Sequence, residues 1–215
     1  MTPQAMYELL RQASASAACE PFDGHVLACI FAAAIDETHA GGAFTDALGI
    51  CGSALRSNIE RYFPGTLNQL EAFELDIEPV IADDERCLRE LLWRFRTAPS
   101  PLNSLLSFLI ARRATRANHL WQDLGLANRG ELSQLMLQHF TLLARRNNQD
   151  MKWKKFFYRM ICREEGFRMC TAPSCGECCD FDLCFGEESG ESPLARSRNH
   201  SQPAAPISIQ SALTV

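Results

Sequence analysis

The sequence lacks any run of about 20 apolar residues, the length a helix needs to cross a bilayer. Its longest apolar stretch, His25 to Ile35, is about half that. It opens Met1-Thr-Pro-Gln-Ala-Met-Tyr-Glu, with no basic segment leading into an apolar one, so a secretory signal is not expected and a cytoplasmic protein is. It also lacks an excess of positive charge. Lys and Arg number 21 against 26 Asp and Glu, a formal charge of -5, which gives no support to nucleic-acid binding because that needs cations clustered over much of a surface. No period-2 alternation is long enough to predict a strand, and no segment repeats.

What the chain does have is apolar content, 47% against 22% charged over 215 residues, enough for one core-bearing domain with an appendage. Residues 3–13 and 24–38 read as helices, the second apolar on most sides (Val26, Leu27, Ile30, Phe31, Ala34, Ile35). Gly41-Gly42 breaks the chain, a further helix is expected around 49–61, and Pro64-Gly65 ends it. Asp83-Asp84-Glu85 makes an acidic start for a helix to about Phe95. Residues 102–117 and 129–146 both show amphipathic recurrence, each predicted as one continuous helix. From Met151, the residues Trp153, Phe156, Phe157, Met160 and Ile161 form a stripe on a helix ending near Gly166. Lys152, Lys155, Arg159 and Arg163 recur on the other side. The expectation is an all-α helical bundle, residues 1–168, with a cysteine-rich metal-binding loop packed on it at 169–186. Residues 187–215, poor in large apolar side chains, are expected to form a disordered tail.

Cysteine is plentiful, ten in all. In a reducing compartment such thiols are free or metal-bound rather than disulfide-linked. Cys19, Cys29, Cys51 and Cys87 lie scattered in apolar stretches and read as buried thiols acting as small hydrophobes. The other six crowd into 162–184. Cys170, Cys175, Cys178 and Cys184 are spaced C-x4-C-x2-C-x5-C, and four thiolates so close select zinc, an iron–sulfur cluster or copper. Structural zinc sites more often split into two knuckles separated by a dozen or more residues, whereas clusters use tight runs, so the spacing favours a cluster. Cys179 adjoins Cys178, where neighbouring side chains diverge, and Cys162 lies near a helix end; both read as bystanders.

Charge adds to this. Residues 145–168 hold eight basic side chains against three acidic, while 170–191 hold six acidic and no basic. The basic stripe reads either as a solvated helix face or as cations that lower thiolate pKa values and attract an oxyanion or an acidic partner.

The string Met151-Lys-Trp-Lys-Lys-Phe-Phe-Tyr-Arg159, followed by the four spaced cysteines and Phe185-Gly186, resembles the C-terminal signature of the NifQ family. Asn118-His-Leu-Trp-Gln-Asp-Leu-Gly-Leu126 resembles a second stretch of it. The likeness covers roughly residues 20–187. It implies a carrier rather than an enzyme, holding a cluster of molybdenum, iron and sulfide on Cys170, Cys175, Cys178 and Cys184. Molybdenum, arriving as molybdate or from another source, would pass to the NifEN scaffold complex with the NifH reductase taking part in cofactor maturation. No membrane or nucleic-acid partner is implied. The resemblance also singles out His119, as a ligand or hydrogen-bond partner of the cluster; the alternative is a partly buried histidine ordering a turn between helices. His25, His39 and His139 sit in helical patterns and His200 in the tail, and none is assigned to the site. The rival readings are a zinc-stabilised interaction module and an all-iron electron carrier.

Overall fold

Proline starts three of the helices, its fixed φ suiting the first turn and its missing N–H costing nothing there. In the computed structural model, which describes residues 1–15, 19–164, Cys184, Glu188, Gly190, Ser192, Leu194 and Ala195, these are α1 (Pro3–Ser14), α2 (Pro21–His39) and α7 (Pro101–Ala114). Thr2 caps α1 by accepting from the Ala5 N–H, and Ser100 caps α7 by accepting from Asn103, each satisfying one amide left over at a helix start. Helix α1 buries Met6 and Leu10, four residues apart, against α2. Helix α2 is buried on nearly every side from Val26 to Ile35, as its unbroken apolar sequence requires.

The remaining helices among the described residues are α3 (Phe44–Leu48), α4 (Gly52–Tyr62), α5 (Leu67–Leu70), α6 (Asp83–Arg94), α8 (Leu120–Asp123), α9 (Arg129–His139), α10 (Thr141–Arg146) and α11 (Trp153–Glu164). A single 3-10 turn, Glu71–Phe73, follows α5, and no described residue is in a strand. The all-α expectation therefore holds. The helix predicted around 49–61 is α4, preceded by the short α3, which Gly49, with φ +67°, caps in the left-handed region. One predicted helix does not run as drawn. The predicted 129–146 helix divides at Phe140, which takes φ −138° and is fully buried.

One core joins the helices, with Phe31 edge-on to both Phe44 and Phe63 at its centre. Charges inside it are paired. Glu85, 1% exposed, accepts from Arg89 at 2.5 Å and lies 3.1 Å from Arg112 Nε. Arg113 is buried against Glu37 and donates to the Asp123 carbonyl at 2.6 Å, tying α2, α7 and α8. Gly125 closes α8 against α2. Its φ is +72°, and a Cβ there would lie 2.7 Å from the Cys29 carbonyl oxygen, so a side chain would push the two helices apart.

Of residues 187–215, assigned from the sequence to a tail, five are described, and Glu188, Ser192, Leu194 and Ala195 are buried against the body. The other residues of 187–215 lie outside the described set.

Candidate metal centre

Helix α11 is built as its stripe predicts. Trp153, Phe156, Phe157 and Met160 are buried and Ile161 packs partly against the core, with α6 as the main neighbour. Trp153 meets Phe156 edge-on, ring centres 5.9 Å apart, and Phe157 at 5.8 Å. Lys154 does not belong to the solvated face. Its ammonium reaches inward to Asp123 Oδ2 at 2.5 Å and to the Arg116 carbonyl. Burial pulls its pKa down, opposed by the hydrogen bond and charge of Asp123. The other Asp123 oxygen accepts from Asn118 at 3.0 Å. The two stretches that carried the resemblance, 118–126 and 151–159, are thus joined by a buried ion pair, and together they form a platform that Cys184, Glu188 and Gly190 meet.

Of the four cysteines assigned to the centre, Cys170, Cys175 and Cys178 lie outside the described residues, as does Cys179. Cys184 is placed. It is half-buried and packs partly against the core, and its carbonyl accepts from the Lys152 N–H at 2.8 Å. Glu164 and Cys184 therefore stand toward opposite ends of α11. Among the described residues no group of three or more His, Cys, Asp or Glu side chains is arranged to hold a metal. The scattered cysteines are less uniformly sunk than expected: Cys29 is buried, whereas Cys19, Cys51 and Cys87 are half-buried, as is Cys162 on α11. Burial, and then Asp23, push the Cys19 thiol up from its ordinary pKa, which keeps it protonated and unreactive.

His119 is the N-cap residue of α8, and its backbone N–H donates to the Gln122 side chain at 3.1 Å. It orders the turn between α7 and α8. Its ring is also engaged: Nδ1 lies 3.4 Å from Glu188 Oε1, which is itself 3.0 Å from Arg129 Nη1. Neither Glu188 nor Arg129 stood out in the sequence, one being an acid among acids and the other a basic residue at a helix start. His25 contacts Tyr7, Cys29 and Glu131, and His139 is buried between Asp23 and Asn103, so both serve the body. His200 lies outside the described residues.

Three polar atoms on and beside this platform are buried without a hydrogen-bond partner among the described residues: Trp121 Nε1, Trp153 Nε1 and Glu188 Oε2. Groups left so cost stability unless something completes them. Beyond α10 a cleft of about 610 Å³ is lined by Arg145, Arg146, Asn147, Gln149, Arg159 and Arg163 over a floor of Met151, Phe156 and Met160, with no carboxylate among its described lining. It is a cationic face along α11, suited chemically to anions.

Residues 26–186 match the NifQ family model. The chain is 44% identical over 174 residues to the protein NifQ homolog of Sinorhizobium fredii (strain NBRC 101917 / NGR234), covering 80% of this chain and 75% of that protein. It is 38% identical over 165 residues to protein NifQ of Rhodobacter capsulatus, covering 75% and 89%. With protein NifQ of Klebsiella pneumoniae it shares 49% over 78 residues, covering 36% and 47%. No solved structure matches the chain.

Proposed function

The chain belongs to the NifQ family, and on that footing we propose that it carries molybdenum in an iron–sulfur cluster during assembly of the nitrogenase iron–molybdenum cofactor. The cargo is held by Cys170, Cys175, Cys178 and Cys184 and donated to the NifEN scaffold, with NifH acting alongside. The observation that carries this reading is the family match itself, which spans 26–186 and so takes in all four spaced cysteines.

The chemistry agrees with it. Soft thiolates suit the irons of a cluster, and a donor needs a metal position whose ligands exchange, unlike a closed structural zinc site. A half-buried Cys184 held by its backbone on the core offers a sulfur ligand at the edge of the body rather than inside it. The arginines of the cleft beside α11 give an approaching molybdate, or an acidic face of the scaffold, a cationic surface to meet. In this reading the protein is a cytoplasmic carrier and not a catalyst; no described helix is long and apolar enough to cross a membrane.

Anaerobic isolation tests the proposal. The protein is expected to be brown, to contain iron and molybdenum, to give the paramagnetic resonance signal of a cluster, and to lose molybdenum to the scaffold complex on mixing. A colourless protein holding only zinc overturns it in favour of the interaction module. A brown protein with iron and no molybdenum overturns it in favour of the electron carrier.

A further inference from the structure

We propose that Glu188, held by Arg129 and His119, is a positioning residue for Cys184: an ionic latch that fixes the outgoing limb of the cysteine segment to the helical body. The starting observation is burial. Glu188 lies in an acidic, Ser- and Gly-rich stretch, yet its side chain is only 4% exposed. A carboxylate leaves water at a cost of several kcal/mol unless it is paired, and here the pairing is on both sides, Arg129 Nη1 at 3.0 Å and His119 Nδ1 at 3.4 Å.

Arg129 is itself immobilised. Its Nη2 donates to Asp150 Oδ1 at 2.8 Å, to the Asp150 carbonyl at 2.9 Å and to the Met151 carbonyl at 3.1 Å. That turn is stiff as well, because the Asn147 side chain grips Met151 at both its N–H and its carbonyl, 2.9 and 2.8 Å. The same turn ends at Lys152, whose N–H holds the Cys184 carbonyl. One short stretch leading into α11 therefore grips the chain twice, at residue 184 through Lys152 and at residue 188 through Arg129.

Four residues span at most about 14 Å when extended, so two fixed points at this separation leave Cys184 little freedom. The grip continues onward. Ser192 and Leu194 are buried, and Gly190, with φ +100°, passes so close to Gln122 that a Cβ would lie 3.2 Å from its amide nitrogen. The other limb of the segment is continuous with α11. A latched Cys184 gives the segment a preset anchor in the absence of metal. If the donor reading above is correct, opening the latch is the step that loosens this ligand and lets cargo leave.

Amide exchange on the metal-free protein tests the latch by itself. The Lys152 amide should be protected in the wild type, and Glu188→Gln, which keeps shape and removes charge, should speed its exchange about tenfold or more. The buried α7 amide of Leu109 should not change. His119→Gln should have a smaller effect in the same direction, and His119→Lys, which places a cation beside Glu188, should return protection. Unchanged Lys152 exchange in Glu188→Gln overturns the proposal, as does equal acceleration at Leu109 in both Glu188→Gln and His119→Gln, which would mean general destabilisation. In cluster-loaded protein, Glu188→Gln should release iron and molybdenum to a chelator several-fold faster, and an unchanged release rate overturns the positioning role. Wild-type protein that never holds molybdenum would sink the donor reading alone, while the exchange result would still decide the latch.

Discussion

Three described histidines face carboxylates distant in sequence, and two of them, His139 and His119, differ plainly in what surrounds them. His139 lies inside the body, with Nε2 2.8 Å from Asp23 and Nδ1 2.8 Å from Asn103. Asn103 also donates to the His139 carbonyl. Every polar atom of that ring has a partner, and three helices, α2, α7 and α9, are joined by it. His119 lies at the edge of the body, its ring about a third exposed and 3.4 Å from Glu188, whose second oxygen has no partner among the described residues. An unmatched buried group costs about 1–3 kcal/mol, so the closed network around His139 serves the framework. A histidine–carboxylate pair thus joins framework helices in one place and ties Glu188 to the border of the body in the other.

The largest expected effect would separate the cysteine segment from the body altogether. Cys→Ala at Cys170, Cys175, Cys178 or Cys184 should remove most bound iron and molybdenum, read by metal analysis, while far-ultraviolet circular dichroism stays helical. The same change at Cys19, Cys29 or Cys51 should leave metal content unaltered. Similar metal loss at all seven would mean that the cluster depends on the whole fold and that the four spaced cysteines are not its ligands.

A second experiment addresses the histidines directly. His139→Ala should destabilise the protein by about 2–4 kcal/mol, since it strands Asp23 and Asn103 in the interior. His119→Ala should cost under about 1 kcal/mol, as partly exposed ion pairs do. Denaturant unfolding checks both. Equal losses would erase the distinction between framework and border.

How far the sequence anticipates this can be read from particular residues. The apolar stripe of α11 and the all-apolar α2 follow from spacing alone, because burial of one face is what spacing encodes. The break at Phe140 does not, since no glycine or proline marks it. It is set by tertiary contacts: the Thr97 N–H donates to the His139 carbonyl at 2.8 Å, and the Thr141 N–H donates to Thr97 Oγ1 at 2.9 Å. Likewise the spacing of the cysteines reads as a metal site, but the pairing of 118–126 with 151–159 is not visible in the sequence. Lys154 adjoins a basic stripe and looks solvated, yet it pairs with Asp123, 31 residues earlier in the chain. Glu188 looks like one more tail acid, and its partners lie 59 and 69 residues upstream. Pairings over such separations carry no local pattern.

The smallest effect expected concerns the cationic cleft, and it tests whether that face belongs to the border or only to the solvent. Arg159 and Arg163 stand one turn apart on α11 and contribute to the cleft with Arg145 and Arg146. Replacing both Arg159 and Arg163 by Gln keeps length and hydrogen-bonding capacity and removes two charges. Stability should move by less than about 0.5 kcal/mol, as for surface changes away from packed features. Molybdate loading of the anaerobic protein, or its association with the scaffold complex at low ionic strength, should weaken several-fold, and the loss should shrink as salt screens the face. If loading falls while association holds, the cleft serves the oxyanion; the reverse assigns it to the partner. If neither changes, the arginines are an ordinary solvated helix face, and the open border of the protein is confined to the ground between Cys184 and Glu188.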